Sequence, residues 1–401
     1  MDDAARSGMT TRILPIDRSH IYDVSFDYRD CSLDSFDFSL REGPTETHLK
    51  IAAEKLLNSD IPVAFPTETV YGLGAIATKS SAVQGIFKVK GRPVDNPLIV
   101  HVCSVQQLRQ LLQPTSSQAR LDATLDPIPN VYKSLIEKFW PGPLTILLPC
   151  PENSELAPEV HPGLKTFSVR IPDDPLALAL IQLSGPIAAP SANASTRPST
   201  TTAQHVKDDL EGKIEIILDG GTCAVGLEST VVDGLSNPPC ILRPGGISLQ
   251  QIRQCEGWEG VIAGYDCQST TIPKAPGMKY RHYSPRASVI LYEAGSSGPI
   301  LEDARKVGVI RTMKWESQIG GDAGPIKDSL IPIPIRSPKG THWEVWLGDD
   351  LESIARGLFA ALRHLDDQGV DAIHVEGIPE TDDLAATIMN RLRKAAIQIC
   401  T

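Results

Sequence analysis

The sequence predicts an α/β protein with two domains: a larger N-terminal α/β or α+β domain and a smaller C-terminal domain with a parallel, doubly wound sheet. Its 401 residues are enough for roughly two to three domains. Hydrophobic residues make up 41% and charged residues 22% of the chain, which excludes a disordered or fibrous protein. Short apolar runs alternate with segments of helical periodicity, as is typical of α/β folds.

Composition divides the chain into four segments. Residues 1–43 are rich in Asp and Ser and lack a core period, so we expect a partly disordered tail, part of which could add an edge strand. Residues 44–255 are predicted to form the larger domain. Residues 256–286 contain prolines and glycines but no apolar period, which is typical of a linker. Alternating strands and helices predict the second domain over 287–401.

Apolar periodicity and the positions of Pro and Gly define the elements of the larger domain. Leu49, Ala52 and Leu56, for example, recur at helical spacing, and Pro62 ends that helix. We predict a turn at 66–74 and a surface insertion at the proline-rich residues 113–130. Helices are predicted at 45–58, 80–92, 104–112, 131–139, 175–184 and 202–210. Strands are predicted at 61–67, 97–102, 144–148, 166–172, 185–190 and 215–221, followed by a hairpin formed by 226–235 and 239–245.

The second domain shows strand–helix alternation at the spacing of a small parallel sheet. Strands are predicted at 287–293, 307–312 and 371–379, with an edge strand inside the loop 322–338, where prolines would interrupt a central strand. Helices are predicted at 301–306, within 343–368 and at 382–396.

Charge and cysteine usage exclude several classes of protein. The 49 acidic residues exceed the 38 basic ones, giving a net charge of −11, and aromatic residues make up only 5%. Such a chain cannot coat nucleic acid through its overall field, although a local basic groove remains compatible with it. The eight cysteines form no CxxC pair and the nine histidines no HExxH motif, so zinc sites and disulfide frameworks are unsupported. Without an apolar leader or a membrane-spanning stretch, we expect a cytoplasmic protein that has no membrane partner.

Two clusters in the first half of the larger domain have side chains suited to binding an anionic ligand. In PTETVYGLG (66–74), Thr67 and Thr69 offer hydroxyls, and the glycines at 72 and 74 would let a ligand approach the backbone; an ordinary turn is the alternative. In KVKGRPVDNPLIVH (88–101), Lys88, Lys90 and Arg92 are suited to a polyphosphate. A solvated basic helix end is the alternative there, and the apolar strand around His101 by itself favours a core histidine over a ligand contact.

Two more clusters follow later in the domain. PSANASTRPST (190–200) offers short hydroxyl and amide groups, from Ser191 to Thr200, that could hold ribose, a base edge or phosphate oxygens. GLESTVVD (226–233) and ILRPGG (241–246) place Ser229 near one strand and Arg243 at the end of the next, where an arginine could clamp phosphate. A polar surface turn and a surface ion pair are the respective alternatives. Cations, hydroxyls and glycines favour nucleotide binding and charge stabilisation over covalent catalysis.

Taken together, these motifs resemble those of the YrdC-like family of L-threonylcarbamoyladenylate synthases. The linker motif PGMKYRHYSP and the α/β unit after it resemble the long, two-domain form of that family. The resemblance implies a YrdC-like twisted mixed sheet with a basic concave groove, followed by a Rossmann-like parallel domain. Over residues 47–250 the matching stretches are, in order, PTETVYGLG, KGRPVDNPLIVH, WPGPLT, SVRIP, APSAN, GLESTVVD and LRPG.

The resemblance implies a nucleotidyltransferase reaction. L-threonine, bicarbonate and ATP, accompanied by Mg²⁺, would give threonylcarbamoyl-AMP and pyrophosphate for the threonylcarbamoyladenosine modification of tRNA, with tRNA or a tRNA-modification complex as a further partner. No covalent enzyme intermediate and no side-chain metal ligands are expected. The ATP-binding residues carried over are Lys90, Arg92, Asn96, Thr166, Ser191, Ser199, Arg243, His282 and Tyr283. The threonine-binding residues are Thr67, Thr69, His101, Arg170, Ala189 and Ser229, with Arg170 as the partner of the carboxylate.

The linker acquires a function in this scheme. Tyr280, Arg281, His282 and Tyr283 form a basic-aromatic cluster, and we expect it to cover the pocket as a lid, with His282 or Tyr283 touching ATP; a charged spacer is the alternative. Two other functions compete with synthesis. One is a non-catalytic module that binds tRNA or double-stranded RNA, and the other is a different nucleotidyl- or carbamoyl-transferring enzyme on the same scaffold.

Overall fold

The fold is described from a computed structural model, which describes residues 8–22, 35, 38–113, 126–264, 275–276, 282–299, 306–317, 335–337 and 342–401. Most of the predicted insertion (114–125) and of the predicted helix at 301–306 lies outside these residues. None of the described helices is long and apolar enough to cross a membrane.

Eleven strands of the larger domain form one mixed sheet, in the order β1-β10-β4-β5-β9-β6-β8-β7-β11-β12-β13, with β2 and β3 paired separately. Their bounds are β1 (Arg12–Pro15), β2 (Ile21–Tyr22), β3 (Ser39–Leu40), β4 (Val63–Phe65), β5 (Gly72–Ile76), β6 (Ile99–His101), β7 (Leu144–Pro149), β8 (Thr166–Arg170), β9 (Ile187–Ala188), β10 (Ile216–Asp219), β11 (Thr230–Asp233), β12 (Cys240–Arg243) and β13 (Ile262–Ala263). The helices are α1 (Pro44–Asn58), α2 (Ser80–Lys90), α3 (Val105–Leu112), α4 (Lys133–Phe139), α5 (Pro175–Ser184), α6 (Ala203–Leu210) and α7 (Leu249–Arg253).

The sheet extends beyond both predicted ends of the larger domain. β1 lies within the predicted tail and pairs in parallel with β10, so this part of the tail is an edge strand. At the other end, β13 pairs with β12 at residues 262–263, inside the predicted linker. Each added strand satisfies backbone groups that would otherwise stay open at a sheet edge.

The second domain is the predicted parallel sheet, in the order β16-β17-β15-β18-β14-β19, with only the short β16 antiparallel to its neighbour. β17 and β19 were not predicted, because β17 buries a glutamate instead of alternating cleanly and β19 is only three residues long. The elements are β14 (Ser288–Tyr292), β15 (Val307–Arg311), β16 (Ile335–Arg336), β17 (His342–Trp346), α8 (Leu351–Asp367), β18 (Ala372–Glu376), α9 (Asp383–Ala395) and β19 (Gln398–Cys400).

The prediction of a turn over 66–74 is wrong for its second half, which begins β5. Gly72 and Gly74 lie in that strand, and a Cβ atom at Gly74 would come within 2.7 Å of both Phe65 Cε1 and Ile187 Cγ2. The glycine at 74 therefore makes room for core side chains and not, as predicted, for a ligand.

Replacing Gly74 by alanine should destabilise the protein by about 1–3 kcal/mol, because the new methyl group overpacks the core. Denaturant unfolding measures this change. Gly260→Ala is the matched control, since no heavy atom lies within 4 Å of the Cβ position at Gly260. Equal unfolding free energies for the two variants would contradict this account of Gly74.

Candidate active site

A cavity of about 360 Å³ lies where polar ends of several strands of the large sheet converge. Thr69 follows β4, His101 ends β6 and Arg170 ends β8, while Ser229 precedes β11 and Arg243 ends β12. Strands distant in sequence therefore bring cations and hydroxyls together. The predicted residues that line the cavity are Thr67, Thr69, Lys90, Arg92, Asn96, His101, Arg170, Ala189, Ser191, Ser199, Ser229, Arg243, His282 and Tyr283.

Thr166 is the exception and requires a correction. It begins β8, opposite Pro149, whereas Arg170 at the other end of the same strand lines the cavity. Four steps along a strand span about 13 Å. The strand β8 therefore contributes to the site through Arg170, whereas Thr166 at its other end does not line the cavity.

Arg170 organises one end of the cavity. Its Nε donates to His101 Nε2 at 3.1 Å, and its Nη1 donates to Glu68 Oε1 at 3.1 Å. Nη2 reaches Thr67 Oγ1 at 3.1 Å and Thr69 Oγ1 at 3.0 Å. Because a guanidinium has five N–H groups, these contacts engage most of its donors. Arg170 therefore positions the neighbouring hydroxyls and imidazole as well as placing positive charge beside the cavity.

His101 is held as a neutral imidazole. Its Nε2 accepts the hydrogen bond from Arg170, so its Nδ1, 3.1 Å from Ile99 O, carries the proton and donates it. Burial and the adjacent charge of Arg170 hold the pKa of His101 well below the model-peptide value of 6.5. His101 can therefore donate no proton to a ligand through Nε2 without losing its contact with Arg170.

We expect the imidazole of His101 to stay neutral when the pH falls from 8 to 6, as followed by NMR of its ring nitrogens. The unfolded chain takes up this proton near pH 6.5, so the contribution of His101 to stability is lost as the pH falls below that value. His161 is the internal contrast, because its hydrogen bond with Cys150 raises its pKa. If His101 took up a proton at a higher pH than His161, the assigned tautomer would be contradicted.

The other end of the cavity is cationic, and only part of it matches the predicted basic cluster. Lys90 is buried, and its ammonium donates to Ser191 O at 2.5 Å and to Asn193 O. Lys88 is exposed and does not line the cavity. Of the three cations in the predicted cluster, it alone fits the alternative of a solvated basic helix end. Gly91, with φ +62°, ends α2 in a left-handed conformation and carries Arg92 towards the cavity.

Arg92 and Asn96 form a short wall segment after that turn. Arg92 Nη2 donates to Pro97 O at 2.9 Å, and its Nε lies 3.3 Å from Asn96 O. The side-chain Oδ1 of Asn96 is buried without a hydrogen-bond partner. A buried amide oxygen without a partner is costly unless a ligand or water donates a hydrogen bond to it, so Asn96 presents an unpaired acceptor at the cavity wall.

The loop 190–200 forms a rigid wall and not the polar surface turn considered above. Three backbone hydrogen bonds hold it against the start of β5: Tyr71 N to Thr200 O at 2.8 Å, Leu73 N to Pro190 O at 2.9 Å and Ala192 N to Tyr71 O at 2.8 Å. Ser191 Oγ donates to Asn193 Oδ1 at 2.5 Å, so the small polar groups of the loop are already oriented.

Glu228 is a cavity residue that the sequence analysis missed. It accepts a hydrogen bond from Ser199 Oγ at 2.5 Å and an ion pair from Arg391 Nε at 3.1 Å. Burial alone would raise the pKa of Glu228, but Arg391 and Arg243 outweigh it and hold the pKa below the ordinary value. Its partner Arg391 lies more than 160 residues away in sequence, so no local motif could have indicated the pair.

Arg243 is buried, so the surface ion pair considered above is wrong. Its Nε and Nη2 donate to Ser229 O at 3.1 and 3.0 Å, and its Nη1 lies 3.4 Å from Pro276 O in the linker. Burial lowers the pKa of Arg243 to about 10, and the group stays positively charged at neutral pH.

Three described linker residues, Pro276, His282 and Tyr283, line the cavity, while Tyr280 and Arg281 lie outside the described residues. His282 Nε2 is buried without a partner, and burial lowers the pKa of His282 to about 3. The ring of Tyr283 stacks on Phe359 of the second domain, with ring centroids 5.2 Å apart. These described linker residues therefore form part of the cavity wall, and Tyr283 packs against α8.

Comparison with known proteins gives matches for both domains. A family model described as "Telomere recombination" matches residues 55–245, and one described as "Threonylcarbamoyl-AMP synthase, C-terminal domain" matches residues 247–397. The threonylcarbamoyl-AMP synthase of Schizosaccharomyces pombe is 48% identical over 385 residues, covering 89% of this chain and 90% of that protein. That of Pyrococcus abyssi is 44% identical over 361 residues, covering 89% and 96%.

A solved structure is similar over the same length. The crystal structure of P. abyssi Sua5 complexed with L-threonine superposes with a TM-score of 0.72 at 37% identity, covering 97% of this chain and 99% of that one. The family resemblance predicted from the motifs is thereby confirmed. The chain belongs to the threonylcarbamoyl-AMP synthase family and has the two domains of its long form.

Proposed function

We propose that this protein synthesises threonylcarbamoyl-AMP from L-threonine, bicarbonate and ATP, with release of pyrophosphate. The observation that carries the proposal is a single cavity with a cationic end around Arg92 and Arg243 and a hydroxyl-rich end around Arg170. That arrangement suits two anions that must approach each other. The L-threonine bound in the P. abyssi relative supports threonine as the amino-acid substrate.

The proposed reaction has two chemical steps. The threonine amine adds to bicarbonate and loses water to give a carbamate. A carbamate oxygen then attacks the α-phosphorus of ATP, so that a new P–O bond forms while the bond to pyrophosphate breaks. Both reactants are negatively charged, so catalysis consists mainly of positioning, charge stabilisation and exclusion of water.

We assign the two ends of the cavity to the two substrates. Phosphates and nucleoside bind at the cationic end, where Asn96 and His282 offer buried groups without protein partners. Threonine binds at the end organised by Arg170, with its carboxylate on that charge. The nucleotide residues are Lys90, Arg92, Asn96, Ser191, Ser199, Arg243, His282 and Tyr283, and the threonine residues are Thr67, Thr69, His101, Arg170, Ala189 and Ser229.

The residues present fit a magnesium ion that is bound by ATP and not by the protein. Among the described residues, no group of three or more His, Cys, Asp or Glu side chains could hold a metal ion, and the carboxylate at the cavity, Glu228, is engaged by Ser199 and Arg391. Mg²⁺ usually keeps several waters and binds through substrate phosphates. When bound, it would neutralise charge on the triphosphate.

We further propose that the product serves the threonylcarbamoyl modification of tRNA in the cytoplasm. Threonylcarbamoyl-AMP is a mixed anhydride, so the partner must be an acyl acceptor or the enzyme complex that carries the group to it. Direct binding of RNA is not needed for the synthetic step.

Pyrophosphate release by the purified protein, measured with and without L-threonine and bicarbonate, tests the function. We expect release to require both co-substrates and to match the threonylcarbamoyl-AMP detected by mass spectrometry. RNA binding with a steep salt dependence and no ATP turnover would instead identify an RNA-binding module. ATP turnover with a different acceptor would identify another nucleotidyltransferase.

A further inference from the structure

Two arginines of the second domain are almost fully buried and direct their guanidinium groups into the first domain. Arg363 on α8 is 2% exposed and Arg391 on α9 is 1% exposed. Their side-chain hydrogen bonds to the first domain end on the walls of the proposed nucleotide site. Burying a guanidinium is costly unless its partners are well placed, so these contacts fix the geometry of what they touch.

Arg391 holds the carboxylate of Glu228 in the cavity wall. Its Nε donates to Glu228 Oε2 at 3.1 Å, and its Nη2 donates to Pro244 O at 2.7 Å. The second oxygen of Glu228 accepts the hydroxyl of Ser199. A chain of contacts therefore runs from α9 through Glu228 to Ser199, which lines the cavity.

Arg363 holds the other side of the same loop. Its guanidinium donates to Ser199 O at 3.3 Å, to Pro198 O and to both carboxylate oxygens of Asp209, at 3.2 and 2.8 Å. Asp209 in turn accepts a hydrogen bond from Ala194 N at 2.9 Å. The backbone of the loop 194–199 is thus fixed at both ends by one buried cation and its counter-ion.

The helices approach the first domain closely enough for these contacts to be rigid. A Cβ atom at Gly226 would lie 2.5 Å from the Cα of Arg356 on α8, so only glycine permits this packing. Gly226 N also donates to Thr69 O at 3.1 Å. Any shift of α8 is therefore transmitted to the cavity wall.

Glu228 makes the role of Arg391 specific. It is a buried carboxylate at the end of the cavity that we assign to a triphosphate, where an uncompensated negative charge would oppose binding. No other ion pair of Glu228 is found among the described residues, whereas Asp209 is paired by both Arg197 and Arg363. Arg391 therefore orients Glu228 and, as its ion-pair partner, offsets its charge together with the nearby Arg243.

We propose that Arg391, with Arg363, is a positioning residue of the nucleotide site, through which the second domain completes a cavity formed mainly by the first. The inference rests on the proposed function and adds the residues by which one domain acts on the other. The second domain acts without contacting substrate, by holding Ser199 and Glu228 in place and by neutralising the carboxylate.

Arg391→Gln tests this directly. We expect the KM for ATP and the Kd of a non-hydrolysable ATP analogue to rise by about 10- to 100-fold, since small misplacements in a site have effects of that size. The KM for threonine should change much less. Arg391→Lys keeps the charge without the planar fork and should lie between Arg391→Gln and wild type.

Arg393→Gln is the matched control, because Arg393 lies on the same helix and pairs with Glu293 and Glu380 of the second domain. Its kinetic constants should equal those of wild type. Thermal unfolding of every variant shows whether the protein is folded at the assay temperature. The inference would be wrong if the KM values for ATP and threonine and the Kd of the ATP analogue were the same for Arg391→Gln as for Arg393→Gln. It would also be wrong if the activity of Arg391→Gln fell only in proportion to the fraction of folded protein.

A double-mutant cycle with Glu228→Gln separates charge from simple structural damage. If Arg391 acts by neutralising Glu228, the double variant should bind the ATP analogue more tightly than Arg391→Gln alone. Additive losses would overturn that part of the inference. The wild-type reaction separates failure of this inference from failure of the proposed function. If the wild-type protein formed no threonylcarbamoyl-AMP, the proposed function itself would be contradicted.

A second pair of variants tests the packing without removing a charge. Gly226→Ala and Gly221→Ala share the strain of a positive φ, +77° and +85°, but no atom lies within 4 Å of the Cβ position at Gly221. We expect only Gly226→Ala to weaken binding of the ATP analogue, by about 10-fold or more. Equal binding by the two variants would show that the approach of α8 does not shape the nucleotide site.

Discussion

Replacing Arg170 by lysine should lower kcat/KM for L-threonine by about 10- to 100-fold. The guanidinium reaches His101, Glu68, Thr67 and Thr69 at the same time, whereas an ammonium cannot satisfy that planar set. Lysine still neutralises the buried Glu68, which otherwise would be left as an unpaired charge. The variant therefore tests the geometry of the threonine end with the fold kept intact.

The measurement is initial-rate kinetics with threonine varied at saturating ATP, together with binding of a non-hydrolysable ATP analogue. Analogue binding should stay within about twofold of wild type, because we assign Arg170 to threonine and not to the nucleotide. Arg253→Lys is the control, since the hydrogen bonds of Arg253 among the described residues go to Val261 O and it does not line the cavity. A loss of ATP affinity equal to the loss for threonine would contradict the assignment of the two ends.

Replacing Tyr283 by alanine should uncouple pyrophosphate release from product formation. The Tyr283 ring stacks on Phe359, lies 5.6 Å from the guanidinium of Arg391 and closes one wall of the cavity. Its loss would admit water to a labile carbamate and to the mixed anhydride. We expect several-fold more pyrophosphate than threonylcarbamoyl-AMP, measured together in one reaction.

Tyr283→Phe is the matched control, because it keeps the ring and removes only the hydroxyl, which burial keeps protonated by raising the pKa of Tyr283 to about 12. Alanine is preferred to glycine since Tyr283 has φ +62°, and glycine would also relieve that strain. Unchanged coupling in Tyr283→Ala would show that the linker does not protect the intermediate.

Local patterns were sufficient for most elements and failed in identifiable places. The helix at 45–58 and the hairpin at 226–245 follow from periodicity and turn residues alone. β5 was mistaken for a turn because Gly72 and Gly74 are also common in turns, and their actual partner, the ring of Phe65, lies on another strand. β17 was missed because its buried Glu344 pairs with Arg311 of the neighbouring strand, which breaks the apolar pattern.

The candidate site shows the same division. Motifs indicated Lys90 and Arg92 around the end of α2 and Arg243 at the end of β12, because clustered cations suit an anionic ligand. Glu228 lies within the matching stretch GLESTVVD but was not singled out, and nothing indicated Arg363 or Arg391. Thr166 was included by the family resemblance, although it does not line the cavity. A sequence motif indicates which residues lie near a site. It does not indicate which face or which end of a strand points towards the ligand.

By itself, the sequence determined the class of fold, the two domains, the family and the chemical character of the site, because those depend on spacing along the chain. The tertiary structure alone decided which side chains share the cavity and which are already engaged by neighbours. It also placed Arg391 of the second domain against Glu228, which lines the cavity. Such pairs form between residues far apart in sequence, where burial and charge compensation set the partners and local pattern does not.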